Sequence, residues 1–206
     1  MSERPTPSES ARRLYKVAST QGGFFTARQA RALEYTNSKQ HYHVRAGNWI
    51  RESRGIYRLA LYPEPERPDL ILWWLWSRDR GDAPQGVYSH QTALSLFELT
   101  DLNPSKLDMT VPKGFRRGIP LPPVLRLHYD AISKGDVTTV HDVPVTRPLR
   151  SLLDVARTGE VPLPILQQGY REAMRKGVIT PSELDRACRQ PETAHALQPL
   201  RRRKAA

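Results

Sequence analysis

At Gly47-Asn48 the apolar spacing of this chain changes from helical to period two, and that change constrains the fold more than any other feature. Before it, Ser10 is placed to cap a helix whose Ala11, Leu14, Tyr15 and Ala18 fall at i, i+3, i+4 and i+7. Gly22-Gly23 ends that helix, and Phe24-Phe25 leads to Thr26, a good cap for a short second helix through Leu33. Glu34-Tyr35 make a tight corner, and Thr36, Asn37 and Ser38 offer caps for a third helix running to about Gly47. After it, Trp49-Ile50-Arg51, a turn at Glu52-Ser53-Arg54-Gly55, and Ile56-Tyr57-Arg58-Leu59 read as a β-hairpin, with Gly55 supplying the positive φ of the turn. Three helices followed by a hairpin within about 50 residues is the order of a winged helix-turn-helix.

The charge is placed to match. The chain of 206 residues carries a net charge of +11, an excess whose usual cause is a polyanionic partner, nucleic acid above all. Between Ser10 and Arg58 there are ten Lys and Arg against only Glu34 and Glu52, whereas residues 67–200 hold 17 basic and 15 acidic side chains and are close to balanced. Arg201, Arg202, Arg203 and Lys204 add a second basic cluster at the C-terminal end.

Pro63, Pro65 and Pro68 mark a stiff linker, so the sequence divides into a disordered tail (1–9), a winged-helix domain (10–62), a linker (63–68), a second domain (69–197) and a basic tail (198–206). Asp69–Arg78 is apolar nearly all round, which predicts a helix central to the second core. Helices are also predicted at Ser89–Leu99, around Leu149–Ala156, and at about 163–176 and 181–189. Strands are predicted at Leu107–Val111, Val124–Tyr129, Val137–Val140 and Val143–Thr146. The fold class expected is α+β, an N-terminal winged helix-turn-helix joined to a mixed α/β C-terminal domain. No apolar run approaches the roughly 20 residues that span a bilayer, and no signal-peptide apolar region opens the chain. With the lone Cys188 read as core packing beside Leu184, these features predict a cytoplasmic protein with no membrane partner.

On a helical wheel of the third helix, Tyr35, Tyr42, Ala46 and Trp49 share one arc and are predicted to be buried. The opposite arc holds Thr36, Asn37, Gln40, His41 and Val44, with His43 at its edge and Lys39 and Arg45 on the flanks. Such a face suits the major groove, where side-chain amides bond adenine edges and flanking cations meet phosphates. Asn37 and Gln40 are the expected base readers, and Gln40→Ala is expected to lower selectivity for the operator. Thr26, Arg28, Gln29 and Arg31 at the second helix, with Arg51, Arg54 and Arg58 on the wing, are expected to hold the DNA backbone.

Catalytic motifs are absent from the sequence. It has no phosphate loop, no His-Glu-x-x-His, no zinc-finger cysteine pairs, no Asp-x-Asp clamp and no nuclease-type carboxylate–lysine motif. His41 and His43 lie two apart on a helix and point away from each other, so no metal is expected, nor any cofactor. Ser89 and His90 are neighbours without an assignable third group, and His90 reads as a structural helix residue. The reading is a non-enzymatic DNA-binding protein. Two others stay open: a nucleic-acid enzyme with a degenerate nuclease-like second domain, and an RNA-binding winged-helix module.

Several motifs resemble the AbiEi-family antitoxins of type IV toxin–antitoxin systems. They are Gly23-Phe-Phe-Thr26-Ala-Arg-Gln-Ala30, Trp49-Ile-Arg-Glu-Ser-Arg-Gly-Ile-Tyr-Arg-Leu59, Tyr88-Ser-His-Gln-Thr-Ala-Leu94, Leu107-Asp-Met-Thr-Val-Pro112 and Val145-Thr-Arg-Pro-Leu-Arg-Ser-Leu-Leu-Asp154. The resemblance implies a winged helix that binds double-stranded DNA at repeats in its own promoter and represses the operon. It implies a DNA-contact role for Arg28, Gln40, Arg51, Arg54 and Arg58. It also implies a C-terminal antitoxin-type domain that opposes a cognate nucleotidyltransferase-like toxin, direct contact not being required.

Overall fold

The computed structural model describes residues 8–201, and the chain divides into two compact units at Gln85/Gly86, with His141–Val143 counted with the first. The first unit opens with α1 (Glu9–Ser19), capped by Ser8 rather than Ser10, because the Ser8 hydroxyl reaches the Ala11 amide. Strand β1 (Phe24–Thr26) follows, then α2 (Ala27–Ala32), α3 (Asn37–Arg45) and the hairpin β2 (Trp49–Ser53) and β3 (Ile56–Leu59). Thr26 and Gln29 close a capping box on α2, and Glu34, at φ 70, turns the corner into α3. The three strands form one antiparallel sheet in the order β1-β3-β2.

Strand alternation gives that sheet two buried faces. Phe25 and Tyr57 face α1–α3 and join Leu14, Ala18, Ala30, Leu33, Tyr35 and Trp49 in one core, with the Trp49 ring edge-on to Phe25 at 4.8 Å. Phe24 and Ile56 point the other way and are just as buried. There α4 (Pro68–Trp76) packs on β1 and β3 and buries its own Leu70, Ile71, Leu75 and Trp76. The expectation that this helix is central to the second core is corrected: an all-apolar helix is needed where it closes the far face of a small sheet. Gly22 adopts φ 57, where an L side chain is strained, and a Cβ there would also lie 2.4 Å from the Ile71 Cδ1.

The second unit is mixed α and β. A five-stranded sheet has the order β6-β5-β4-β8-β7, formed by β4 (Val87–Tyr88), β5 (Leu107–Val111), β6 (Leu125–Tyr129), β7 (Val137–Val140) and β8 (Val143–Thr146). Strands β4 and β5 run antiparallel, whereas β5–β6 and β4–β8 run parallel. His141 and Asp142, both at positive φ, make the two-residue turn between β7 and β8. Helices α5 (His90–Leu96), α6 (Pro148–Thr158), α7 (Leu163–Arg175), α8 (Pro181–Cys188) and α9 (Pro191–Arg201) bury Leu94, Leu152, Leu166, Tyr170, Leu184 and Leu197 in a common core, with Cys188 packed against it. The basic tail expected from residue 198 is corrected at its start: Gln198–Arg201 belong to α9, and Leu200 is buried. The expected tail 1–9 is corrected at its end, since Ser8 caps α1 and Glu9 opens it, while residues 1–7 and 202–206 lie outside the described residues.

Candidate nucleic-acid interface

The exposed face of α3 differs from the one the helical wheel predicts. Gln40, expected to reach outward, is 4% exposed; its amide donates to the carbonyl oxygens of Tyr35 at 2.8 Å and Ala27 at 3.2 Å. Tyr42, expected inside, is 65% exposed, and Ala46 is exposed as well. Val44 packs against the core, while His43 stacks on Trp49 at 4.8 Å and shares a hydrogen bond with the Asn48 amide. Burial and the nearby Lys39 charge hold the His43 imidazole below its ordinary value. The inward face is therefore Gln40, His43 and Val44. The outward face carries Asn37, His41 and Arg45 in one i, i+4, i+8 line, with Ser38 and Tyr42 beside it.

That outward face borders an open cleft of about 480 Å³. Arg31 from α2, Asn37 and His41 from α3, and Arg51 and Arg54 from the hairpin line it, above a floor of Gln40 and Tyr57. Arg31, Arg51 and Arg54 are exposed and have no carboxylate within ion-pair distance among the described residues. Three guanidinium groups, an amide and an imidazole thus converge on a concave surface with no acid to neutralise them. Such a site attracts a polyanion and supplies hydrogen-bond donors and an acceptor to it.

Other predicted residues are engaged elsewhere. Thr26 is fully buried, capping α2 and donating to the Asp82 carboxylate. The Gln29 side chain closes the capping box and bonds Gln21. Arg58 points to the α4 face by strand alternation, lies over the Phe24 ring at 5.9 Å, and pairs with Glu52 at 2.7 Å and Glu64 at 3.8 Å. Its guanidinium is spent inside the unit, so the expected backbone contact is corrected. Thr36 caps α3, and the exposed Lys39 ammonium donates to the Glu34 carbonyl. Arg28 is exposed and donates to the Arg80 carbonyl. Residue-type periodicity missed the outward Tyr42 because a helical wheel scores an aromatic as core and an amide as surface, and here the two are exchanged.

The second unit holds a polar cluster at the start of α5. The Thr110 hydroxyl donates to Ser89 Oγ at 2.7 Å, which lies 2.9 Å from His90 Nδ1. The His90 ring stacks on His128 at 3.6 Å and 12°, and His128 Nε2 lies 2.9 Å from Asp108 Oδ1. Burial, and then the neighbouring His128, hold His90 down at about 4. Ser89 and Asp108 are buried, and the adjoining concavity has a volume of about 0 Å³ for water. Nearly parallel stacked rings aim their in-plane lone pairs side by side rather than at one point, and no group of three or more His, Cys, Asp or Glu side chains among the described residues is arranged to hold a metal ion. The cluster thus ties the start of α5 to β5 and β6 through Ser89, Thr110, His128 and Asp108.

Comparisons with known proteins bear on both units. Residues 12–60 match a family model described as a transcriptional regulator, AbiEi antitoxin. The match runs from α1 through β3, holds the whole cleft, and stops before α4. The crystal structure of the RV2827C protein from Mycobacterium tuberculosis is similar in fold, with a TM-score of 0.54 at 14% identity, over 97% of this chain and 79% of that one. At that identity the likeness shows fold alone. No curated protein sequence matches the chain. No helix among the described residues is long and apolar enough to cross a membrane.

Proposed function

We propose that the first unit is a winged helix-turn-helix that binds duplex DNA sequence-specifically, and that the chain acts as the autorepressor and antitoxin of a type IV toxin–antitoxin system. The observation that carries the DNA reading is the cleft that gathers Arg31, Asn37, His41, Arg51 and Arg54 between α2, α3 and the hairpin. In this reading α3 enters the major groove and β2–β3 is the wing. Asn37, one turn from His41 and at the N-terminal end of α3, reads base edges, an amide being able to bond adenine bidentately. Arg45, Arg51 and Arg54 meet phosphates on either side. The match of residues 12–60 to a regulator family supports the same reading. The antitoxin role rests on that family description.

A mobility-shift titration on the chain's own upstream promoter, with a random duplex of equal length as competitor, tests the DNA reading. Wild type is expected to select the promoter. Asn37→Ala is expected to cut the promoter-to-random ratio by about thirtyfold, the middle of the range for one bidentate base contact, without changing the melting temperature. Equal, weak binding of both duplexes by wild type sinks the sequence-specific reading.

A further inference from the structure

The matched family segment ends at residue 60, yet a later loop returns to the edge of the cleft. After α4, Asp79 and Ala83 close a tight turn, with the Asp79 amide on the Ala83 carbonyl at 2.9 Å and the Ala83 amide on Asp79 Oδ1 at 3.0 Å. The turn is fastened at two places. Asp82, at φ 74, accepts from the Thr26 hydroxyl at the cap of α2 and pairs with Arg78 Nε at 3.0 Å. Arg78 in turn donates to the Gly55 carbonyl at 3.3 Å, in the turn between β2 and β3, and to the Leu75 carbonyl at 2.8 Å. The Arg80 carbonyl accepts from Arg28. The loop is thus clipped at once to the start of α2 and to the tip of the hairpin, next to Arg54.

Arg78 and Asp82 are both nearly buried, at 11% and 12% exposure. A buried ion pair is weak evidence for stability, because desolvation offsets most of its attraction. What this one achieves is placement: it fixes Arg80 between them. The Arg80 side chain is exposed and has no carboxylate within ion-pair distance among the described residues. An arginine on a free loop is ordinarily a solvated side chain. One on a loop whose backbone is held at two anchors, its own carbonyl bonded by Arg28 and the loop tied to Gly55 next to Arg54, has its Cα placed near the rim of the basic cleft.

We propose that the loop Arg78–Asp82 is a third contact to the DNA backbone, with Arg80 binding a phosphate and Arg78 and Asp82 positioning it. The inference rests on the DNA-binding reading above. A guanidinium fork suits a phosphate oxygen pair, and a phosphate contact adds affinity without sequence preference.

The test is the salt dependence of binding for the full chain and its R80A, R80K and R54A variants, on promoter and random duplexes. R80A is expected to flatten the slope of log affinity against log salt by about one unit and to weaken both duplexes in parallel. R80K is expected to keep the wild-type slope, because the charge remains. D82N, which loosens the anchor and leaves Arg80 in place, is expected to weaken binding by less than R80A while the promoter-to-random ratio stays constant. A slope and affinity unchanged in R80A, with both reduced in R54A, would overturn this inference alone. Failure of wild type to bind either duplex would overturn the DNA reading and this inference together.

Discussion

His90 sits at the first position of α5 with φ 51, a conformation in which a non-glycine side chain is strained. Its ring is held by Ser89 on one side and by the face of His128 on the other. Protonating it would set a charge against a second imidazole in a partly buried place, and the pull of Asp108 does not offset this, so the ring stays neutral until about pH 4. The unfolded chain takes up the same proton near pH 6.5. The contribution of a neutral His90 is therefore whole above about pH 6.5. It falls away as the pH drops toward 4 and levels off below that. The loss amounts to at most about 3 kcal/mol, reduced by whatever solvent screening the partly exposed ring receives. His90→Asn keeps a residue type that tolerates positive φ and removes the titration. Urea midpoints measured from pH 7 to 4 should fall less steeply for His90→Asn than for wild type. Parallel curves would show that the stacked pair does not control acid stability.

At the scale of elements, α3 is held by a side chain that hydropathy assigns to solvent. Gln40 reaches back to the Tyr35 carbonyl, just past the corner at Glu34, and to the Ala27 carbonyl on α2. It fixes the angle between the two helices and hence the line of Asn37, His41 and Arg45. Gln40→Leu keeps the volume and removes both donors from buried carbonyls, a loss of about 1–3 kcal/mol. The urea midpoint of Gln40→Leu should fall accordingly, and promoter selectivity should fall with it as α3 loses its seat. Wild-type stability in this variant would remove Gln40 as a fastener. The same residue shows where sequence reading ends. Caps at Thr26 and Thr36, the corner at Glu34 and the Gly55 turn were legible because each is a local backbone requirement written in one or two residue types. Strand β1 was not, because three residues between two helices become a strand only by pairing with β3, some thirty residues on. Arg58 was lost for a related reason: alternation gives its face, but only α4 makes that face an interior.

At the scale of the molecule, the proline-rich segment 63–68 reads as a boundary, yet the contacts put the division at Gln85. The physical cause is the second face of the small sheet. Phe24 and Ile56 cannot stay in water at little cost, and α4 covers β1 and β3 with four buried side chains of its own. At about 1.5–3 kcal/mol for each fully buried large apolar side chain, α4 contributes on the order of 6–12 kcal/mol before entropy is counted. The net stability of a small domain is about 5–15 kcal/mol, so the unit has no margin to lose this helix. A fragment ending at Gln85 should melt in a single cooperative transition by circular dichroism and retain the cleft. A fragment ending at Tyr62 should show no cooperative transition and should bind a dye that senses exposed apolar surface. Equal melting of the two fragments would mean that α1–β3 is self-sufficient and that α4 is only appended to it. The outcome also bears on Arg80, since the loop that carries it is attached through α4 and can hold its place at the hairpin only if that helix is part of the first unit.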